Sequence, residues 1–213
     1  MRVRPRVRWV GVWMAVIVAG VAASAADAPS VSSLDYWPMA PGTTWVYADG
    51  QGRQRVVRVV DQERLDDERV TVVEHTVSGD AAPAWLYYAV RDGQVLLIAQ
   101  REMGKVQRRL RVPLVFWPAT VALGTRWRLV PANDRSPERV IVRREQVSVP
   151  AGTYEALVIF SYAKTGITTT QWRAAGVGVL REVTQRPDGS RQTMELLRFE
   201  IPASPPSSPS TAP

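Results

Sequence analysis

The chain has no cysteine, a single histidine and only two lysines in 213 residues. The missing cysteine excludes disulfides, thiolate metal sites, a cysteine nucleophile and anchoring through a lipidated cysteine. One histidine excludes any multi-histidine metal centre and leaves His75 as the sole imidazole base. No apolar run after the first 25 residues is long enough to cross a membrane as a helix. There is no G-x-S-x-G elbow, no GK[ST] phosphate loop and no acidic calcium loop. Gly176-Val177-Gly178 is only a G-x-G, without the third glycine or following helix of a dinucleotide site. No cofactor or metal site is expected.

What is present begins with an address. Arg2, Arg4, Arg6 and Arg8 precede fifteen uncharged residues, Trp9 to Ala23, and Ala23-Ser24-Ala25 is a small-residue cleavage site. That order predicts a secretory signal peptide over 1–25, with an uncleaved anchor as the alternative. Without it the net charge falls from +7 to +3, because four arginines and no acid leave. The basic balance is therefore largely a property of the address, and nucleic-acid binding is not expected. A linker is expected at 26–33, a single domain over 34–202, and a disordered Pro/Ser tail over 203–213, which reads ASPPSSPSTAP. The expected location is the periplasm or the medium.

The body lacks a long amphipathic helix. Short apolar or alternating runs punctuated by Gly, Pro and Asp predict strands near 43–49, 53–61, 69–77, 84–90, 94–100, 106–112, 125–130, 139–149, 153–163, 167–174, 178–186 and 191–200. Turns at Asp49-Gly50, Asp92-Gly93, Gly104-Lys105, Pro150-Ala151-Gly152 and Asp188-Gly189 join them. Gln62–Glu68 is polar and reads as a loop or a single turn. The fold class expected is all-β, an antiparallel meander curled into a half-barrel or barrel. Ala40-Pro41-Gly42-Thr43-Thr44-Trp45 echoes Ala122-Leu123-Gly124-Thr125-Arg126-Trp127. Two similar strand starts explain the echo, and a duplicated half-domain is the sharper alternative.

Catalysis has little support. His75 sits alone on a strand, where a structural or solvent-exposed role is expected. Glu155, Glu182 and Glu195 lie on apolar strands, and cross-strand pairing with Arg181, Arg191 or Arg198 accounts for them better than an acid–base pair. The 25 arginines are densest at 107–111 and 139–144; a solvated face is expected there, and contact with anionic headgroups is the functional alternative. Aromatics on both faces of strands, such as Trp85 with Tyr87 and Tyr88, indicate a buried core or a lined pocket. Pro113–Gly124 is almost wholly apolar with two prolines, cannot be a central strand, and is expected to be a lid over an open barrel end, with an exposed patch for a partner or membrane surface as the alternative.

Asp35-Tyr36-Trp37-Pro38-Met39-Ala40-Pro41-Gly42-Thr43-Thr44-Trp45-Val46-Tyr47 resembles the opening Y-F-P-L-x-x-G-x-x-W-x-Y of bacterial envelope domains grouped around domain of unknown function 3108. Val147–Tyr154 resembles their V-x-V-P-A-G-T-F hairpin, Trp172 with Gly176–Glu182 their closing W-x-x-x-G-V-G-x-V-x-x-E, and Pro113–Trp127 their middle P-L … P … G-x-x-W. The resemblance implies an exported all-β domain akin to lipoprotein-carrier half-barrels and transfers no catalytic residue. Many such relatives are lipoproteins; without the cysteine, this chain is expected to be soluble after export.

Together these readings predict a non-enzymatic envelope protein that binds a lipid or other apolar or amphipathic ligand inside a curled sheet. The candidate ligand residues are Trp85, Tyr87, Phe116, Trp117 and Trp172, with Arg109 or Arg111 meeting a headgroup. The alternative is an envelope interaction or assembly module with a filled core and a protein partner. A carboxylate hydrolase is the least expected.

Overall fold

The computed structural model describes residues 32–79, 82–131, 133 and 136–202. The expected signal peptide, most of the linker and the Pro/Ser tail lie outside the described residues. A capped 3-10 turn, Ser33–Tyr36, is followed by twelve strands. They are β1 (Thr44–Asp49), β2 (Gln54–Leu65), β3 (Glu68–Val77), β4 (Ala84–Arg91), β5 (Gln94–Glu102) and β6 (Arg108–Trp117), then β7 (Arg126–Arg128), β8 (Glu138–Val149), β9 (Gly152–Tyr162), β10 (Thr168–Ala174), β11 (Gly178–Gln185) and β12 (Arg191–Glu200).

All twelve form one antiparallel sheet in the order β6-β5-β4-β3-β2-β1-β12-β11-β10-β9-β8-β7. Consecutive strands pair by hairpins, and β1 pairs with β12, so the meander curls round on itself. The free ends meet at β6 and β7. There the Val115 N–H donates to the Leu129 carbonyl at 2.7 Å, and Arg139 donates to the Phe116 carbonyl at 3.2 Å. The result is a nearly closed barrel. Asp92-Gly93 shows why these turns need their residues, since both adopt positive φ, 49° and 75°.

Two expectations are corrected. Gln62–Glu68 is not a loop: β2 runs to Leu65, paired as far as Leu65 with Glu68, and only Asp66 and Asp67 turn. Strand pairing overrides the polar composition because those side chains point to water on a twisted ribbon. The first part of Pro113–Gly124 is not a lid. Residues 113–117 continue edge strand β6, where the ladder to β5 lapses between Arg109 and Leu114. A proline is tolerated there because no partner needs its N–H.

The sequence echo is structural, and the duplicated reading is the better one. The Gly42 N–H donates to Val59 O, and the Val59 N–H donates to Thr43 O. Gly124, Ile141 and Thr125 repeat both bonds. Trp45 pairs with Val57 as Trp127 pairs with Arg139. The ladder then slips one residue after Val59 and again after Ile141. Further on, Val73–Leu86 and Val72–Tyr87 correspond to Ile159–Gln171 and Val158–Trp172. The barrel is thus two six-stranded halves, β1–β6 and β7–β12, paired in the same register.

Inward residues from both halves form the main core around Val59, Trp117, Ile141, Leu157, Leu180 and Leu196, each no more than 1% exposed. Burying each such side chain contributes about 1.5–3 kcal/mol. A second buried cluster, including Val72, Tyr87, Leu96 and Ile98, lies on the opposite face of β3–β6.

Candidate functional site

The main core does not fill the barrel. A cavity of about 170 Å³ is left between Trp37-Pro38-Met39 and strands β1–β4, β6, β10 and β11. The Trp37-Pro38-Met39 strap is set by the 3-10 turn before it. The Trp117 indole donates to Ser33 O at 2.8 Å, the Gly176 N–H donates to Asp35 O at 2.8 Å, and Arg173 donates to Tyr36 O at 3.0 Å. Trp37 then packs edge-on against Tyr88 and Phe116, with centroids 5.6 and 6.0 Å away, and Tyr88 meets Phe116 at 5.4 Å. These three rings and Trp45 give the cavity an aromatic wall.

Gly178 is required by its backbone conformation and not by space. A Cβ there would lie 3.6 Å from the Trp45 indole nitrogen and 3.7 Å from Pro38, and its φ is +95°. Gly176-Val177-Gly178 is therefore a backbone turn between β10 and β11. Its Val177 carbonyl accepts the Trp45 indole N–H at 2.6 Å.

The polar lining consists chiefly of Arg55, His75, Gln171, Arg173 and Glu182, with the Tyr47 and Tyr88 phenols. Arg173 is 5% exposed and lies between two indoles, 4.1 Å from the Trp37 ring and 4.9 Å from the Trp117 ring. Burial pushes its guanidinium down to about 9, so it remains cationic at neutral pH. Burial, helped by Arg55, pushes His75 down to about 4, so the imidazole is neutral. Burial raises both phenols, against the pull of neighbouring arginines. Gln171 bridges two of the charges: its amide nitrogen donates to Glu182 at 2.9 Å and its oxygen accepts from Arg173 at 3.2 Å. Two guanidinium groups thus face one carboxylate. The lining is net positive at neutral pH.

A second cavity of about 290 Å³ shares Gln171 and Glu182 with the first. Its other walls include Leu129, Pro137, Arg139, Ile159 and Ser161. By strand register these correspond to Tyr47, Arg55, Val57, Val73 and His75 of the first. The two cavities are counterparts in the two halves.

Of the residues singled out from sequence, Phe116 lines the first cavity. Trp117 stands just behind it, 1% exposed, under Arg173. Trp85 and Tyr87 belong to the cluster on the opposite face, with Arg101 stacked 4.5 Å over Trp85. Trp172 also lies across the sheet from the cavity, donating its indole N–H to Glu145 at 2.5 Å. Arg109 is exposed and paired with Asp66 and Glu68, and Arg111 is exposed. The expected carboxylate pairs form in part. Glu195 meets Arg181 at 2.7 Å, and Glu155 meets Arg144 at 3.2 Å instead of the arginines considered for it. Glu182 departs from that reading by pointing inward to Gln171. His75 is neither isolated nor solvent-facing; it lines the cavity. Among the described residues no group of three His, Asp or Glu could hold a metal ion.

Arg55, Gln171, Arg173 and Trp37 were not singled out. A usable signal was the echo itself. Carried forward through the register, it sets Arg173 opposite Tyr88 and Gln171 opposite Leu86, marking two polar residues at core positions.

No family model matches the sequence, and no curated protein matches it. Two solved structures are similar to the chain. One, from Bacteroides fragilis, is described as an exported protein with a YmcC-like fold; it is 15% identical, covers 77% of this chain and 98% of its own, with a TM-score of 0.49. The other, from Parabacteroides distasonis, is described as a lipoprotein; it is 12% identical, covers 78% of this chain and 98% of its own, with a TM-score of 0.37. No residue role is carried over from either, and the envelope-domain resemblance rests on the motifs quoted from the sequence.

Proposed function

We propose that this is an exported, non-enzymatic binding protein of the bacterial envelope, whose barrel receives a small amphipathic ligand. The signal-like segment at 1–25 supports export. The observation that carries the binding reading is the aromatic, partly open cavity with charged groups on one wall. A barrel that needed only a core would fill that space, because voids and buried charge both cost stability. A volume of about 170 Å³ is below the roughly 300–1,000 Å³ of drug-sized sites. The ligand is therefore compact, or only its head enters. Against an enzyme, the lining offers one carboxylate already held by Gln171 and one imidazole held neutral, with no nucleophile between them.

Native mass spectrometry of the exported protein, followed by denaturing spectra of the same sample, tests this. The expected result is a mass for cleavage near Ala25 plus an adduct that is lost on denaturation. A cleaved protein that carries no adduct, and binds none of a panel of small amphiphiles, would favour the filled-core interaction module instead.

A further inference from the structure

We infer that the first cavity recognises an organic monoanion, a carboxylate carried on a compact aromatic or short apolar body, through Arg55 and Arg173. The inference rests on the ligand-binding reading above and names the class of ligand.

Three side-chain polar atoms of the lining are buried without a hydrogen-bond partner: Trp37 Nε1, Arg55 Nε and Arg173 Nε. All three are N–H donors. A buried donor left unmade is costly, so such donors mark where an acceptor belongs. The three residues that carry these donors line one cavity with two guanidinium groups, and an ionised carboxylate, which only accepts, is the group that suits them. A neutral alcohol or amide brings no charge to answer the two guanidinium groups.

The Arg173 guanidinium lies 4.1 Å from the Trp37 ring centroid and 4.9 Å from that of Trp117, and its N–H groups are the donors it can offer. Two of those are used, on Tyr36 O and Gln171 Oε1. Arg55 meets a single ring, Tyr47, with 5.4 Å to the ring centroid. In-plane approach is the geometry by which guanidinium binds carboxylate.

Charge sets the valence. The lining carries two guanidinium groups and one carboxylate, with His75 neutral. Glu182 is already bound by Gln171 and cannot serve all the free donors. One further negative charge neutralises the lining, which favours a monoanion over a phosphate dianion. The apolar body would lie on Trp45, Val57 and Phe116.

The test uses 4-fluorophenylacetate and its uncharged analogue 2-(4-fluorophenyl)ethanol, titrated into the exported protein and followed by fluorine NMR. The carboxylate is expected to bind at least about tenfold more tightly, the scale of hydrogen bonds to a charged group. Arg55→Gln is expected to bring the two ligands to near parity while leaving the alcohol unchanged; Arg173→Lys is expected to narrow the gap. Equal binding of both ligands to the unaltered protein would overturn the inference and leave the ligand-binding reading standing. Binding of neither would overturn both. A carboxylate preference that survives Arg55→Gln and Arg173→Lys would remove the arginines from the role assigned here.

Discussion

The two halves of the barrel share a pairing register and differ in what they point inward. Around the matched bulges in β4 and β10, the first half places Leu86 and Tyr88 inside, and the second places Gln171 and Arg173. At matched positions on β2 and β8 the polarity reverses, with Val57 against Arg139. The first cavity is covered by the Trp37-Pro38-Met39 strap and walled by rings. Its counterpart has no aromatic residue in its lining. Pairing and turns thus make a scaffold twice, and a handful of inward differences give one copy an aromatic, strapped cavity. Backbone hydrogen bonding fixes where side chains point, but leaves their chemistry open.

That contrast can be broken at three matched pairs. The largest effect is expected at Trp117, which matches Phe199: Trp117 sits beside Trp127 at the β6–β7 junction, and Phe199 opposite Trp45 at the β12–β1 junction. Trp117 is 1% exposed and anchors Ser33, whereas Phe199 is only partly buried. Trp117→Ala should cost about 3–5 kcal/mol in urea unfolding, and Phe199→Ala clearly less. Equal losses would remove the claim that the first half carries the packed anchor.

The next pair is His75 and Ser161. His75 is held at about 4, below the ordinary 6.5, so the unfolded chain binds more protons between those values. Its contribution is fully present above about pH 6.5 and falls as pH drops through about 4. The loss between pH 7 and pH 4 should be about 3 kcal/mol more in the unaltered protein than in His75→Gln, measured by denaturant unfolding at each pH. Parallel pH profiles would place the imidazole in water.

The smallest effect is at Trp45 and Trp127. The Trp45 indole bonds Val177 O at 2.6 Å, and the Trp127 indole nitrogen is buried without a partner. Trp45→Phe should cost about 1–3 kcal/mol by stranding the carbonyl, beyond any loss from Trp127→Phe. Matching losses would show that the indole bond adds nothing.

Much of the fold is legible in the chain, and little of the site. Each of the twelve strands coincides with an apolar or alternating run, and turns such as Asp92-Gly93 announce the hairpins. The β2 extension to Leu65 is not legible, because a polar ribbon and a polar loop look alike in sequence. The β6 edge is obscured by Pro113, whose tolerance depends on the lapsed ladder beside it. The site is hidden for a different reason. Strict alternation decides which side chains face inward, and one-residue slips after Val59, Ile141, Tyr87 and Trp172 reset that parity. Trp172 and Arg173 are neighbours in sequence, yet the conspicuous tryptophan turns to Glu145 and the arginine lines the cavity. Trp37 contributes from outside any strand, where periodicity carries no information.

The most direct test is a proton–nitrogen correlation spectrum of the indole N–H groups during titration with 4-fluorophenylacetate. The Trp37 and Trp45 signals are expected to move, while those of Trp85, Trp127 and Trp172 stay. Movement at Trp127, or shifts spread evenly over all of them, would contradict the assignment of the site to the first cavity, and so would no movement at all.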